Sequence, residues 1–262
     1  MSPRAKRLTR RGLSTTLMGG SPRFPFNLTT MIATIQRGAR SAHVYDRLRE
    51  AIVRGRLAPG ARVVEPEVAE RMGMGRTPVR EALQLLVQEG WLIGSEGGRR
   101  QLTVAPLRED DVAELFPLLG DLEAAALRQL DRLSDEERAE LAAAARAANR
   151  DFGETVARVP LDLEGAFTTH KAFHAALTAP LAGPRLAWLL GMVRPQVDRY
   201  EWFYGALLQG NLDVATDEHD AIVRAVEAGD GEAAAEAVRR NWQNASNRLR
   251  GVIHRVGERG AW

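Results

Sequence analysis

The strongest constraint on this chain is a proline placed where a helix has to begin. Pro78 lies within Gly73-Met74-Gly75-Arg76-Thr77-Pro78-Val79-Arg80-Glu81-Ala82-Leu83, and a residue with no N–H and a preset φ suits the first turn of a helix, not its interior. With Thr77 as a cap and Gly90 as a stop, the pattern predicts a helix from Arg76 to Glu89. Val79, Ala82, Leu83 and Leu86 form its apolar face at helical spacing. Upstream, Val68-Ala69-Glu70-Arg71-Met72 makes a short amphipathic helix ended by Gly73, and two short helices joined by a tight turn make a helix-turn-helix. Downstream, Trp91-Leu92-Ile93 and Leu102-Thr103-Val104 flank the glycine-rich, basic Gly94-Ser95-Glu96-Gly97-Gly98-Arg99-Arg100, the pattern of a hairpin wing. A first helix is predicted from Ala42 to Arg54, stopped by Gly55 and followed by the turn Leu57-Ala58-Pro59-Gly60.

The leading turns of the Pro78 helix carry Arg76, Thr77 and Arg80. In a helix-turn-helix the N-terminal residues of the second helix enter the major groove, where arginine donates two bonds to a guanine edge and threonine reaches a phosphate or a thymine methyl. The competing reading is a helical hairpin with solvated arginines, but cap, stop, basic leading turn and wing occur together here. Charge is divided in the same sense. Residues 1–40 hold eight Arg or Lys and no acid, residues 41–106 hold ten against eight, and residues 107–262 hold eighteen against twenty-six. A basic front and an acidic back fit a DNA-binding end joined to a domain with another task.

Residues 1–40, with Pro3, Gly12, Gly19-Gly20, Pro22 and Pro25 and no sustained period, read as a disordered basic arm that adds salt-dependent affinity for phosphates. Two alternatives stand beside this: a true start at Met18 or Met31, and a transit peptide, whose Arg-rich, acid-free composition the segment shares. The absence of cysteine excludes disulfides, thiolate metal sites and cysteine nucleophiles, and suits a reducing cytoplasm. No apolar run approaches the ~20 residues that span a bilayer, so a soluble, cytoplasmic protein is expected.

From Arg108 onward every periodic segment is helical. Helices are predicted over residues 108–131, 134–150, 161–179, 184–208, 212–228 and 231–256, an all-α bundle over residues 107–262. The fold class is therefore mainly α, with a winged helix-turn-helix over residues 41–106 followed by this bundle. Within it His170 and His174 share a helix face at i, i+4, and His219 opens a later helix. Imidazoles on neighbouring helices are a common way to build a metal site.

Residues 41–106, on the motif Gly75-Arg76-Thr77-Pro78-Val79-Arg80-Glu81-Ala82-Leu83, resemble the DNA-binding domain of GntR-family bacterial transcription regulators. The resemblance implies DNA contact by Arg76, Thr77 and Arg80, with Gly97 at the wing tip approaching the minor groove. Where the family usually carries serine, Gly75 lacks a hydroxyl that would cap the helix or bond a phosphate. Residues 108–256 resemble the FCD ligand-binding domain of the FadR subgroup through Asp121-Leu122-Glu123-Ala124-Ala125-Ala126, Phe173-His174-Ala175-Ala176-Leu177, Glu218-His219-Asp220-Ala221-Ile222 and Ala228-Gly229-Asp230. Many members of that subgroup hold a divalent metal through an aspartate and three histidines. Here the aspartate falls on His170, two histidines on His174 and His219, and the last on Asn241, while an arginine usual before the Leu-Glu pair falls on Leu119.

Three readings of the bundle follow. His170, His174 and His219, with Asn241 as a weak fourth ligand, hold zinc or nickel; or the metal is lost and an organic effector binds directly, with Arg194, Arg199, Tyr200 and Tyr204 as candidate polar contacts; or the histidines only pack. A metal-dependent enzyme using the three histidines is the opposing function class, but Lys171 stands where the HExxH pattern has its glutamate base. The function expected is a ligand-responsive regulator, a repressor of a metabolic operon. It would bind near-palindromic operator DNA as a homodimer and be released by a small-molecule effector, an organic acid or acyl-type ligand.

Overall fold

The computed structural model describes residues 28–94, 101–208 and 212–260. The N-terminal part consists of α1 (Leu28–Val53), β1 (Arg62–Val63), α2 (Glu65–Met72), α3 (Arg76–Gln88), β2 (Leu92–Gly94) and β3 (Leu102–Val104). The three strands form an antiparallel sheet of order β1-β3-β2, with Val63 opposite Leu102 and Leu92 opposite Val104. Gly55, Gly73 and Gly90 end their helices with φ of 69°, 61° and 76°, a region where other residues are strained. Val44, Ile52, Val79, Leu86, Trp91 and Val104 pack into a single core beneath α3.

Two expectations change here. The first helix begins at Leu28, not Ala42, so residues 28–40 are helical where a disordered arm was expected; residues 1–27 lie outside the described residues. Leu28, Met31, Ile32 and Ile35 recur at i, i+3, i+4 and i+7, a helical period hidden when residues 1–40 are read as one segment, and no proline after Pro25 interrupts it. Thr77 does not cap α3: the N-cap is Gly75, in extended conformation and without a side-chain cap bond, so Thr77 is free on the first turn.

The six predicted bundle helices are present as α4 (Glu109–Leu127), α5 (Asp135–Val156), α6 (Leu163–Thr178), α7 (Pro184–Tyr204), α8 (Leu212–Glu227) and α9 (Gly231–Val256). Side-chain caps start three of them. Ser134 and Glu137 form a capping box on α5, Asp162 accepts the Gly165 N–H on α6, and Asp230 accepts the Ala233 N–H on α9. The α4–α9 pair packs most extensively, because Gly120 lets the two backbones close: a Cβ there would lie 3.1 Å from the Trp242 Cβ. Phe116, Leu119, Leu127, Phe173, Trp242 and Ile253 are buried around this pair.

The two parts are fastened along the C-terminal half of α7, and this overturns three of the effector contacts expected from sequence. Arg199 donates to the carbonyl of Ala105 in the connecting segment. Tyr200 donates to Asp111 at 2.7 Å and accepts the Arg108 N–H at 3.1 Å. Tyr204 donates to the Gly257 carbonyl at 3.3 Å. These three side chains therefore hold the linker and the C-terminal tail. They share one stretch of α7, and that stretch meets the connecting segment and the tail, a contact that only the tertiary fold creates. Beside them Leu107 and Arg259 pair as a two-residue antiparallel bridge, N–H to O=C at 2.8 and 3.2 Å. No helix of the described residues is long and apolar enough to cross a membrane.

Candidate functional site

Helix α3 exposes the residues expected of a recognition helix. Arg76, Thr77 and Arg80 are exposed or half-exposed on α3, opposite the buried Val79, Ala82, Leu83 and Leu86. Arg80 is not idle in the free protein: its Nε and Nη2 donate to both oxygens of Glu65 at the start of α2, at 3.1 and 2.7 Å. The arginine in turn lowers the Glu65 carboxyl below its usual range. A two-point pair of this kind fixes the plane of the guanidinium before any base arrives. Gly97 lies outside the described residues.

The second site is inside the bundle. His170 and His174 on α6 and His219 on α8 bring their ring nitrogens within 4.8 Å of one another. Each ring has a neighbour on its Nδ1. Glu123 on α4 faces His174 Nδ1 at 2.7 Å, Asn149 on α5 faces His219 Nδ1 at 2.9 Å, and Glu201 on α7 faces His170 Nδ1 at 3.4 Å. Asn149 is itself fixed, donating to Asp220 at 2.8 Å and to the Thr216 carbonyl at 3.0 Å, so its Oδ1 must accept from the imidazole. With Nδ1 so engaged, Nε2 is the free face of each ring. The Nε2 atoms of His174 and His219 are buried and have no partner among the described residues.

Aromatic rings hold the imidazoles in place. Phe173 stacks on His219 at 3.8 Å, and Trp242 tilts against His174 at 4.5 Å. Burial, with Arg194 adding to it, drives His174 well below the ordinary histidine range, and burial with the neighbouring His174 does the same to His219. Both rings are therefore neutral at pH 7. Burial pushes Glu123 up to about 7 against the pull of Arg194 and the Trp242 N–H. Burial also opposes ionisation of Glu201, but His170 and Arg194 outweigh it and hold that carboxyl at about 2.

A leftover buried donor or acceptor costs ~1–3 kcal/mol, so two orphaned Nε2 atoms facing a shared space with fixed Nδ1 partners fit a metal ion better than they fit packing alone. Asn241, expected as the weak fourth ligand, donates its Nδ2 to Glu218 at 2.9 Å, while its Oδ1 is buried and unpartnered among the described residues. Two cavities adjoin the centre. One, about 70 Å³, is apolar apart from His170, Glu201 and Arg248, and reaches Phe116, Phe152 and Phe167. The other, about 200 Å³, opens past His174, Lys171 and Arg194. Of the four expected effector contacts only Arg194 borders the site, where it also bonds Glu123 at 3.2 Å and Asp198 at 2.8 Å. Leu119, standing where the arginine was expected, is fully buried in the α4 core.

Comparison with known proteins agrees with both halves of this geometry. The family described as "Bacterial regulatory proteins, gntR family" matches residues 40–99, and the FCD domain matches residues 114–244. The chain belongs to the GntR family. A probable D-xylose utilization operon transcriptional repressor of Paenarthrobacter nicotinovorans is 30% identical to this GntR-family chain over 79% of the chain and 89% of that protein. An uncharacterised helix-turn-helix regulator of Streptomyces ambofaciens is 39% identical over 55% of the chain and 57% of its own length, so the chain spans little more than half of that relative. Among solved structures, E. coli McbR/YncC shares the fold with a TM-score of 0.62 at 22% identity, covering 80% of the chain and 96% of that protein. A putative GntR regulator from Rhodococcus sp. RHA1 does so with 0.61 at 24%, covering 81% and 98%.

Three residues of the centre escaped sequence reading: Glu123, Asn149 and Glu201. Two had a legible signal. Glu123 shares a stripe with the buried Phe116, Leu119 and Leu127, and Asn149 one with the buried Leu141, Ala145 and Phe152; a polar residue on an apolar helix face needs a partner inside. Glu201 had none, since the four residues before it, Val197 to Tyr200, are all buried and no single face of α7 stands out there.

The depressed histidines set a pH dependence. A group whose folded pKa is lowered contributes stability that is complete above its unfolded value and drains away as pH falls. The unfolded chain takes up protons near 6.5 at His174 and His219, whereas the folded chain does not. Glu123, raised to about 7, acts in the opposite direction over the window from 7 down to 4.5 and shallows the slope. The metal-free protein should lose urea stability from pH 7.5 to 5.5, and His219→Ala should flatten the dependence; equal slopes for both proteins would contradict the assignment.

Proposed function

We propose that this GntR-family protein is a ligand-responsive, DNA-binding transcription regulator that holds a divalent metal in its bundle and releases its operator when a small effector reaches that metal. The observation that carries the reading is the pair of unpartnered, buried Nε2 atoms on His174 and His219, with a third imidazole on His170. His170, His174 and His219 would hold zinc or nickel, both suited to imidazole, with the Asn241 oxygen as a fourth donor. When bound, such an ion offers an open position to an oxygen donor of the effector. Glu123, Asn149 and Glu201 orient the rings, as outer-shell partners do in metal sites. The neighbouring cavity of about 70 Å³ favours a compact organic acid over a long acyl chain.

An enzyme is the weaker reading because the chain has no base to spare at the centre. Lys171 follows His170, and the two nearest carboxylates, Glu123 and Glu201, are committed to His174 and His170. The metal is tested first. Protein purified without an affinity tag should carry zinc or nickel near one equivalent, and His174→Ala should lose it; two metal-free preparations would remove the metal from this reading.

For DNA, Arg80→Ala should weaken binding to the preferred duplex roughly ten- to hundredfold while leaving scrambled duplex nearly unaffected. Equal losses on both duplexes would make Arg80 a phosphate contact instead.

A second copy of the chain is the partner assigned to the N-terminal half of α7. Trp188 and Leu189 are 65% and 40% exposed on the apolar stretch Leu186-Ala187-Trp188-Leu189-Leu190, and large exposed apolar residues in one run mark an interface. A homodimer also fits a two-half-site operator. Trp188→Glu should shift the sedimentation coefficient from dimer to monomer; an unchanged dimer would place the interface elsewhere.

A further inference from the structure

Helices α6 and α7 are joined by two rungs, three residues apart on α6 and adjacent on α7. The first is His170 against Glu201 at 3.4 Å, beside the three-histidine centre. The second is Phe167 against Trp202, with ring centroids 5.4 Å apart and planes at 83°. Phe167, His170 and Glu201 line the same small cavity, so anything that fills it touches both rungs.

The second rung does not belong to the bundle core. Phe167 is buried in the core of the winged domain, and Trp202 packs against that core as well. Against this edge-to-face pair sits Arg54, just past the end of α1, with its guanidinium carbon 4.6 Å from each ring centroid. Glu164 on α6 lies 2.7 Å from the Arg54 Nη1, and Glu50 one turn back on α1 accepts its Nε–H at 3.1 Å. The next residue, Gly55, has φ 69°, and a Cβ there would stand 2.9 Å from the Phe203 Cζ. The end of α1 is thus seated directly on α7, and α1 packs on α3.

We infer that the cluster of Arg54 over Phe167 and Trp202 is the coupling latch of this regulator: occupancy at the His170 rung resets the hold of α6 and α7 on α1 and, through α1, the placement of α3. The inference rests on the reading of the cavity as the effector site. A ligand engaging His170 competes with Glu201 for the imidazole, or wedges beside Phe167; either way the two helices settle at a new spacing, because packed elements shift between discrete arrangements and do not stretch. A guanidinium placed over two rings that meet edge to face is sensitive to that spacing, since its attraction depends on both centroids staying within reach. The Arg199 and Tyr200 contacts to the linker come from the same stretch of α7, so one helix carries both the seat and the tether.

The test is a double-mutant cycle in the full-length protein. Its readouts are affinity for a duplex that the unaltered protein selects from a random pool, and hydrogen exchange over residues 50–58. His170→Ala breaks the first rung with no ligand present. Arg54→Ala removes the latch, and Arg54→Lys keeps a charge opposite Glu164 but loses the planar stack, which guards against a folding defect in the first variant. Alone, His170→Ala should change duplex affinity by about fivefold or more, the lower end of ordinary allosteric coupling, and should alter exchange over residues 50–58. In either Arg54 background its effect should fall below about twofold, the scatter of independent sites. Equal effects of His170→Ala in all backgrounds overturn the latch, as does no effect of His170→Ala by itself. Zinc binding to the unaltered protein is titrated separately by calorimetry. If no zinc binds, the metal reading fails, and the cycle still decides the latch.

Discussion

Glu123 accepts hydrogen bonds from the His174 imidazole at 2.7 Å, the Trp242 indole at 2.8 Å and the Arg194 guanidinium at 3.2 Å, with almost no access to water. Burying a carboxylate is costly unless every lone pair is used. The partners come from α6, α9 and α7, so the charge can be satisfied only when those helices meet α4 in this one register. That requirement places His174, and the ring of His174 against Trp242 then helps fix the aromatic shell around His219 through Phe173. Replacing Glu123 with an apolar residue would leave the Trp242 N–H, the imidazole and one face of Arg194 without partners at once. The centre is thus held together by charge satisfaction as much as by apolar packing.

Helix α7 ties that centre to the rest of the molecule. Along one helix, Arg194 reaches Glu123, Glu201 reaches His170, Trp202 and Phe203 meet the winged domain, and Arg199 and Tyr200 hold the linker. The acidic surface of the bundle takes no part in this. Ion pairs such as Arg128–Glu232 and Arg239–Asp121 lie at the surface, where screening leaves them little net worth.

The helix-turn-helix was legible because it is specified locally. Pro78, Gly73 and Gly90 set boundaries through backbone conformation, and a period of 3.6 set the buried face of α3. The bundle helices were legible for the same reason. What sequence could not supply was direction: Arg199, Tyr200 and Tyr204 lie on the same helix as Arg194, yet α7 changes environment along its length, from the three-histidine centre to the seam with the winged domain. Periodicity tells which residues share a face. It does not tell what the face meets.

By itself the sequence determined the helix-turn-helix and bundle helices, the exposed arginines of α3 and the i, i+4 pairing of His170 with His174, because each depends on neighbours within about two helical turns. The tertiary structure alone decided which carboxylates and amides lock the imidazoles, that two Nε2 atoms are left buried without partners among the described residues, and that Arg54 packs against both Phe167 and Trp202. Those contacts join residues 31 to 148 positions apart, and desolvation arises only once the helices have closed around them.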